Sequence, residues 1–140
     1  MLLYQFWKEY PKKSETYFVC SVPIHVKRRQ ERGFDQSELI AKDFCRFFGY
    51  KYVNNLLIRE KETQQQYTLN NQKERFANLE NAFSVNPKKK NIFKEEGILL
   101  FDDICTSGAT LCSAIKTLQQ EGFKNITVLT LAKTELKSAC

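Results

Sequence analysis

The sequence predicts an α/β domain with a mainly parallel sheet flanked by helices, and three observations predict it. Short apolar runs of strand length occupy residues 17–22, 98–101 and 126–131, separated by stretches with helical spacing at residues 35–48 and 109–120. The run Ile98-Leu-Leu-Phe101 is continuous rather than alternating, as expected of a strand buried on both faces. Strands that alternate with helices favour βαβ units over sandwiches or bundles.

Each element has local causes. Residues 17–23 read as a strand that Pro23 ends, because proline cannot donate to a sheet ladder. A basic loop follows, containing Gly33. Asp35 or Ser37 can cap a helix running to Phe48, with Leu39, Ile40, Phe44, Phe47 and Phe48 at helical spacing and Gly49 as its stop. Residues 52–58 form a weaker strand candidate. Residues 60–81 are polar and rich in Gln and Asn, with a helix expected over 72–79. So long a polar stretch inside a small domain predicts a mobile functional segment. Residues 83–85 read as an edge strand and 87–96 as a charged connector. After the 98–101 strand, Leu111, Ile115 and Leu118 mark one face of a helix over 109–120, with Gly122 just beyond its end.

At 140 residues and 42% hydrophobic, the chain suits one domain. No apolar run approaches the roughly 20 residues of a membrane-spanning helix, so no membrane insertion is expected. The first residues lack a basic leader, an apolar h-region and a cleavage site, which predicts a cytoplasmic protein. The five cysteines are scattered without a C-x-x-C pair and with one histidine, His25. That spacing predicts neither a disulfide framework nor a protein metal site. Cys20 and Cys45 read as small buried hydrophobes. The net charge of +6 suits an anionic partner, either a polyphosphate ligand or nucleic acid.

The segment Ile98-Leu-Leu-Phe-Asp-Asp-Ile-Cys-Thr-Ser-Gly-Ala-Thr110 carries the chemistry. Its strand delivers Asp102 and Asp103 to its C-terminal end, where ligands of open α/β sheets bind. Thr106, Ser107, Gly108, Ala109 and Thr110 then make a turn into a helix, whose N-terminus suits a phosphate. Gly108 lets the backbone approach the anion, and the three hydroxyls are donors. A ribose 5-phosphate fits both parts, with the aspartates accepting hydrogen bonds from the sugar hydroxyls. A carboxylate pair beneath the sugar also favours positive charge developing at C1′. Adjacent strand residues face opposite ways, which leaves open which aspartate meets the ribose. A Walker B strand would require G-x-x-x-x-G-K-S/T, and a dinucleotide fold G-x-G-x-x-G; the chain has neither.

This segment resembles the phosphoribosyl pyrophosphate (PRPP) signature of the type I phosphoribosyltransferases. Upstream, Val22-Pro-Ile-His-Val-Lys-Arg-Arg-Gln-Glu-Arg-Gly-Phe-Asp-Gln36 is similar to a stretch of the competence protein F family. Arg59, Thr63, Gln66, Leu69, Arg75, Asn78, Ala82 and Phe83 follow in that family's order. The resemblance spans residues 17–133 and implies a Rossmann-like phosphoribosyltransferase domain with a small flexible hood. It implies PRPP as ligand, Mg²⁺ carried with it, and Asp102 and Asp103 as catalytic residues with an unassigned phosphoribosyl acceptor. It further implies that Arg28, Arg29 and Arg32 hold the pyrophosphate and that residues 59–75 form the hood. The family's part in natural transformation implies handling of incoming single-stranded DNA, here through the basic loop, beside the DNA-uptake machinery. Two departures stand out. Asp35 occupies a position where asparagine is usual, and the four-cysteine zinc module at the start of many relatives has no counterpart. Residues 1–16 accordingly read as the remnant of an interdomain segment, and 17–140 as the phosphoribosyltransferase-like domain. Two further functions compete: a nucleobase-salvage transferase, against which no base-specificity loop is recognisable, and a single-stranded DNA module with PRPP as regulator.

Overall fold

A computed structural model of the chain describes residues 7–9, 17–61, 81–91, 95–105 and 108–133. Its strands are β1 (Tyr17–Ser21), β2 (Lys51–Tyr52), β3 (Leu57–Arg59), β4 (Phe83–Val85), β5 (Gly97–Cys105) and β6 (Ile126–Lys133). Four of them form a parallel sheet in the order β2-β1-β5-β6. β5 is central, aligned residue for residue with β1 from Tyr17↔Gly97 to Ser21↔Phe101 and with β6 from Ile98↔Ile126. The short antiparallel pair β3–β4 forms a second sheet. Three helices are described: α1 (Val26–Arg32), α2 (Gln36–Phe48) and α3 (Ala109–Gln120). The result is the expected Rossmann-like α/β architecture.

The pleat of β5 sorts the core into two layers. Ile98 and Leu100 pack with Ala109, Leu111, Ala114 and Leu118 of α3 and with the β3–β4 pair. Leu99 and Phe101 face the other way, onto Ala41, Phe44 and Cys45 of α2 and onto Trp7. All four β5 side chains are fully buried, which is why this strand reads as an unbroken apolar run.

Several boundaries differ from expectation, each for a physical reason. β5 continues through both aspartates to Cys105 because β6 keeps pairing with it, Asp102 opposite Thr130 and Cys105 opposite Lys133. The strand expected over 52–58 is two short strands in different sheets, divided at Asn55, which sits at φ 51°. The basic loop is helical: His25 caps α1, its Nδ1 accepting from Lys27 N at 3.3 Å, and Gly33 closes it at φ 77°. On α2, Leu39 and Phe47 point to solvent (50% and 68% exposed), while Ser37, Ala41, Phe44 and Cys45 form the buried face.

Cys20 and Cys45 are buried, and burial pushes both thiols up to about 12, so neither is a nucleophile at neutral pH. Among the described residues Cys20, Cys45 and Cys105 are free thiols, and Cys112 is disulfide-bonded. The helix expected over 72–79 and most of the hood at 59–75 also lie outside the described residues. Among the described residues, no helix is long and apolar enough to cross a membrane.

Candidate ligand site

The site forms at the carboxyl ends of β1 and β5, the edge where parallel α/β sheets bind ligands. Past β1 the chain stays tied to β5, Val22 N donating to Phe101 O at 2.9 Å. The next two β5 residues are Asp102 and Asp103, which belong to opposite faces of the pleat.

One hydroxyl reaches both carboxyls. Ser37, in the first turn of α2 and 4% exposed, donates from Oγ towards Asp102 Oδ1 and Asp103 Oδ1, at 3.3 Å each. It accepts from Asp103 N at 3.2 Å. Asp103 N also lies 3.1 Å from Asp102 Oδ1, and Ile104 N donates to Asp103 Oδ1 at 2.8 Å. Both aspartates thus spend Oδ1 on the protein. Desolvation of Asp102, followed by the Asp103 charge, raises the Asp102 carboxyl from 3.8 to about 7.

α2 is aimed at this point by Asp35, which caps it. Asp35 is 3% exposed; its Oδ1 accepts from Glu38 N at 3.2 Å and its Oδ2 from Ile24 N at 3.1 Å. One carboxylate therefore satisfies an orphan donor of the helix and one of the loop after β1. Neutral asparagine, with one acceptor oxygen, could not do both.

The three arginines of α1 have different surroundings. Arg29 forms an ion pair with Glu38 at 2.8 Å, and Lys42 also engages Glu38 at 2.6 Å. Arg28 is half-buried and Arg32 exposed. Arg59, at the end of β3, joins Arg28. Burial lowers the Arg59 pKa, the Arg28 charge lowers it further, and Asp102 opposes both. Its guanidinium lies 5.4 Å from the Phe83 ring centroid. Arg28, Arg59 and Asp102 therefore share one electrostatic neighbourhood.

Of the turn residues, Thr106 and Ser107 lie outside the described residues. Gly108 is the N-cap of α3 at φ 77°, a left-handed conformation that favours glycine. Ala109 is buried in the core and Thr110 half-buried. Among the described residues, no cluster of three or more His, Cys, Asp or Glu side chains could hold a metal ion.

From sequence, Ser37 reads only as a possible cap and Arg59 only as part of the hood. Nothing in local periodicity marks either for the site: Ser37 looks like an ordinary first-turn serine, and Arg59 is a strand-end residue. Phe34 is 47% exposed just after the basic helix.

Comparison with curated proteins gives consistent relatives. The chain is 35% identical over 115 residues to "Competence protein F" of Haemophilus influenzae, covering 82% of this chain and 49% of that protein. It is 30% identical over 128 residues to "Competence protein ComFC" of Streptococcus pneumoniae, covering 91% and 53%. It is 27% identical over 116 residues to "DNA utilization protein YhgH" of Escherichia coli, covering 83% and 49%. The chain thus spans about half the length of these relatives. No protein-family model matches it.

Proposed function

This chain belongs to the competence protein F family, and from that premise we propose that it binds PRPP as its Mg²⁺ complex and serves the handling of incoming DNA in natural transformation. The observation that carries the ligand assignment is the acid pair Asp102/Asp103 at the carboxyl edge of the sheet, followed by the Gly108 turn into α3. The two carboxylates accept hydrogen bonds from ribose hydroxyls, each through the oxygen other than the Oδ1 that the protein engages. The 5-phosphate sits on the 106–110 turn, drawn by the dipole of a 12-residue helix.

Arg28 and Arg59 supply positive charge for the diphosphate, with Arg29 and Arg32 on the same short helix. Guanidinium groups suit this task because each presents a planar fork of donors. Mg²⁺, when bound, neutralises diphosphate charge and is held mainly by ligand oxygens and water. If phosphoribosyl transfer follows, the carboxylates stabilise positive charge developing at C1′ as pyrophosphate leaves. The place in DNA handling is supported by the relatives' names, and a cytoplasmic location follows from that role.

Calorimetry with PRPP and Mg²⁺ tests the ligand. Wild-type protein should bind, and the Asp102→Asn/Asp103→Asn variant should bind about 100-fold or more weakly, the loss expected for two charge-assisted hydrogen bonds. Unchanged affinity in a folded double variant would sink the assignment. A second reading, a single-stranded DNA module with PRPP as regulator, is favoured by the exposed Phe34, two residues after Arg32 at the end of the basic helix. A base could stack on that ring while the cations meet phosphates.

A further inference from the structure

We infer that Asp102 and Asp103 form a one-proton pair in the ligand-free protein, that Ser37 is the positioning residue whose hydroxyl serves the ionised form of that pair, and that sugar binding releases the proton. The inference rests on the reading of this site as a ribose site. Its basis is the count of donors and acceptors. A serine hydroxyl has one proton and two lone pairs. Ser37 Oγ stands at the same 3.3 Å from Oδ1 of both aspartates, while accepting from Asp103 N. A single O–H shared between two acceptors at that distance gives neither a full bond, since such bonds favour about 2.7–2.8 Å. Two ionised carboxylates held together in this way repel each other, and Asp102 is largely desolvated.

A proton on Asp102 relieves this. The carboxylic acid then donates to Asp103, and the Ser37 hydroxyl serves the remaining charge. The raised Asp102 carboxyl agrees: desolvation and the Asp103 charge raise it, a side-chain bond to Asp103 raises it too, and the Ser37 bond lowers it.

Among the described residues, the charged groups around the pair come from four elements. Asp103 shares β5, Arg59 stands at the end of β3 with Arg28 of α1 behind it, and Asp35 and Glu38 flank Ser37 at the start of α2. Asp35 is engaged with two backbone donors, and Glu38 with Arg29 and Lys42. Asp103 is thus the charge in direct contact with Asp102, and Arg59 the cation that opposes it.

When a ribose diol arrives, its two hydroxyls donate to the carboxylates and take the place of the shared proton. That proton passes from Asp102 to water or a buffer base: the carboxyl O–H bond breaks, the acceptor's bond to that proton forms, and no other covalent bond changes. Binding is therefore linked to proton release: affinity climbs by up to about tenfold per pH unit below the Asp102 midpoint and is flat above it.

Two measurements test this. In ligand-free protein, ¹³C NMR of the aspartate carboxyls should show one of the pair titrating near neutrality. Ser37→Ala should move that midpoint upward by about half a pH unit, because the ionised form loses a weak donor. Ser37→Thr, which keeps the hydroxyl, should restore it, and Asp103→Asn should move it downward. Calorimetry of PRPP–Mg²⁺ binding at pH 6.5, in buffers of different ionisation enthalpy, should show release of about half a proton or more, falling towards zero by about pH 8.5. Ser37→Ala should displace the midpoint of the pH profile of affinity by the same half unit. A uniform loss at every pH with no such displacement, or a midpoint that ignores Ser37, overturns the inference. So does tight PRPP binding without proton release, which leaves the ligand assignment intact. Failure of PRPP to bind removes the coupling together with the reading beneath it, and the ligand-free titration then decides whether the one-proton pair itself stands.

Discussion

Replacing Asp102 with asparagine should stabilise the protein above neutral pH while removing its ligand. The folded state raises this carboxyl from 3.8 to about 7, chiefly by desolvation. Between these values the folded protein binds more protons at this site than the unfolded chain does. The protonated acid's contribution is therefore complete below about pH 4 and is lost as pH rises through 7. At pH 8 the fold carries a carboxylate it would rather protonate. A shift of about three units, at 1.36 kcal/mol each, sets a ceiling of about 4 kcal/mol on that penalty. Relaxation and water penetration will leave roughly half of it. Asparagine removes the charge and keeps the Oδ1 acceptor used by Ser37 and by Asp103 N. Urea denaturation at pH 4, 6 and 8, followed by fluorescence of the single tryptophan, reads the difference; Trp7 is 1% exposed and packs against α2. The variant should match wild type at pH 4 and exceed it by about 2 kcal/mol at pH 8. A gain independent of pH, or a loss at pH 8, would refute the reasoning.

The other substitutions probe the frame and the turn. Asp35→Asn should cost about 1 kcal/mol in the same assay, because one of two buried backbone donors is left without its acceptor, and Asp35→Ala about 2 kcal/mol. Gly108→Val should cost roughly 1–2 kcal/mol for a side chain at φ 77° and abolish any anion on the turn in crystals soaked with ribose 5-phosphate; an anion retained there would contradict the phosphate assignment. Arg28→Ala/Arg29→Ala should weaken both PRPP and labelled single-stranded DNA in low-salt titrations, with the DNA salt slope falling by about 0.7 for each phosphate no longer neutralised. DNA binding that ignores both PRPP and the double substitution would put the nucleic-acid surface elsewhere.

What the sequence made legible follows from what each residue is bound by. β5 was readable because both of its faces are buried, so its composition had no freedom to vary. α2 and α3 were readable from their apolar spacing and terminal glycines, although Leu39 and Phe47 show that aromatic and aliphatic count overstates a buried face. α1 was not readable, because nothing on it is fully buried and its caps, His25 and Gly33, are the only local signals. The division between β2 and β3 was signalled by the Asn54-Asn55 pair, whose second residue tolerates a left-handed turn. The acid pair and its glycine turn stand together in one short segment. Ser37 lies 65 residues before Asp102, and only the parallel register of β1 on β5 brings α2 over it.

The first turn of α2 explains how a small site coordinates acids and cations with so few residues. Asp35 fixes the loop after β1, Ser37 fixes the β5 acids, and Glu38 fixes Arg29 of the basic helix. Three neighbours at the start of one helix thus hold three separate chain segments in fixed relation to one another. Arg29 is 49% exposed and Glu38 15%, so the guanidinium stays open on its solvent side to a competing anion. A diphosphate is such an anion: it offers more charge than one carboxylate and accepts from several guanidinium donors at once. Ligand arriving at the acids would therefore compete with Glu38 for α1, and the same helix that reports the sugar would feel the loss of its cation.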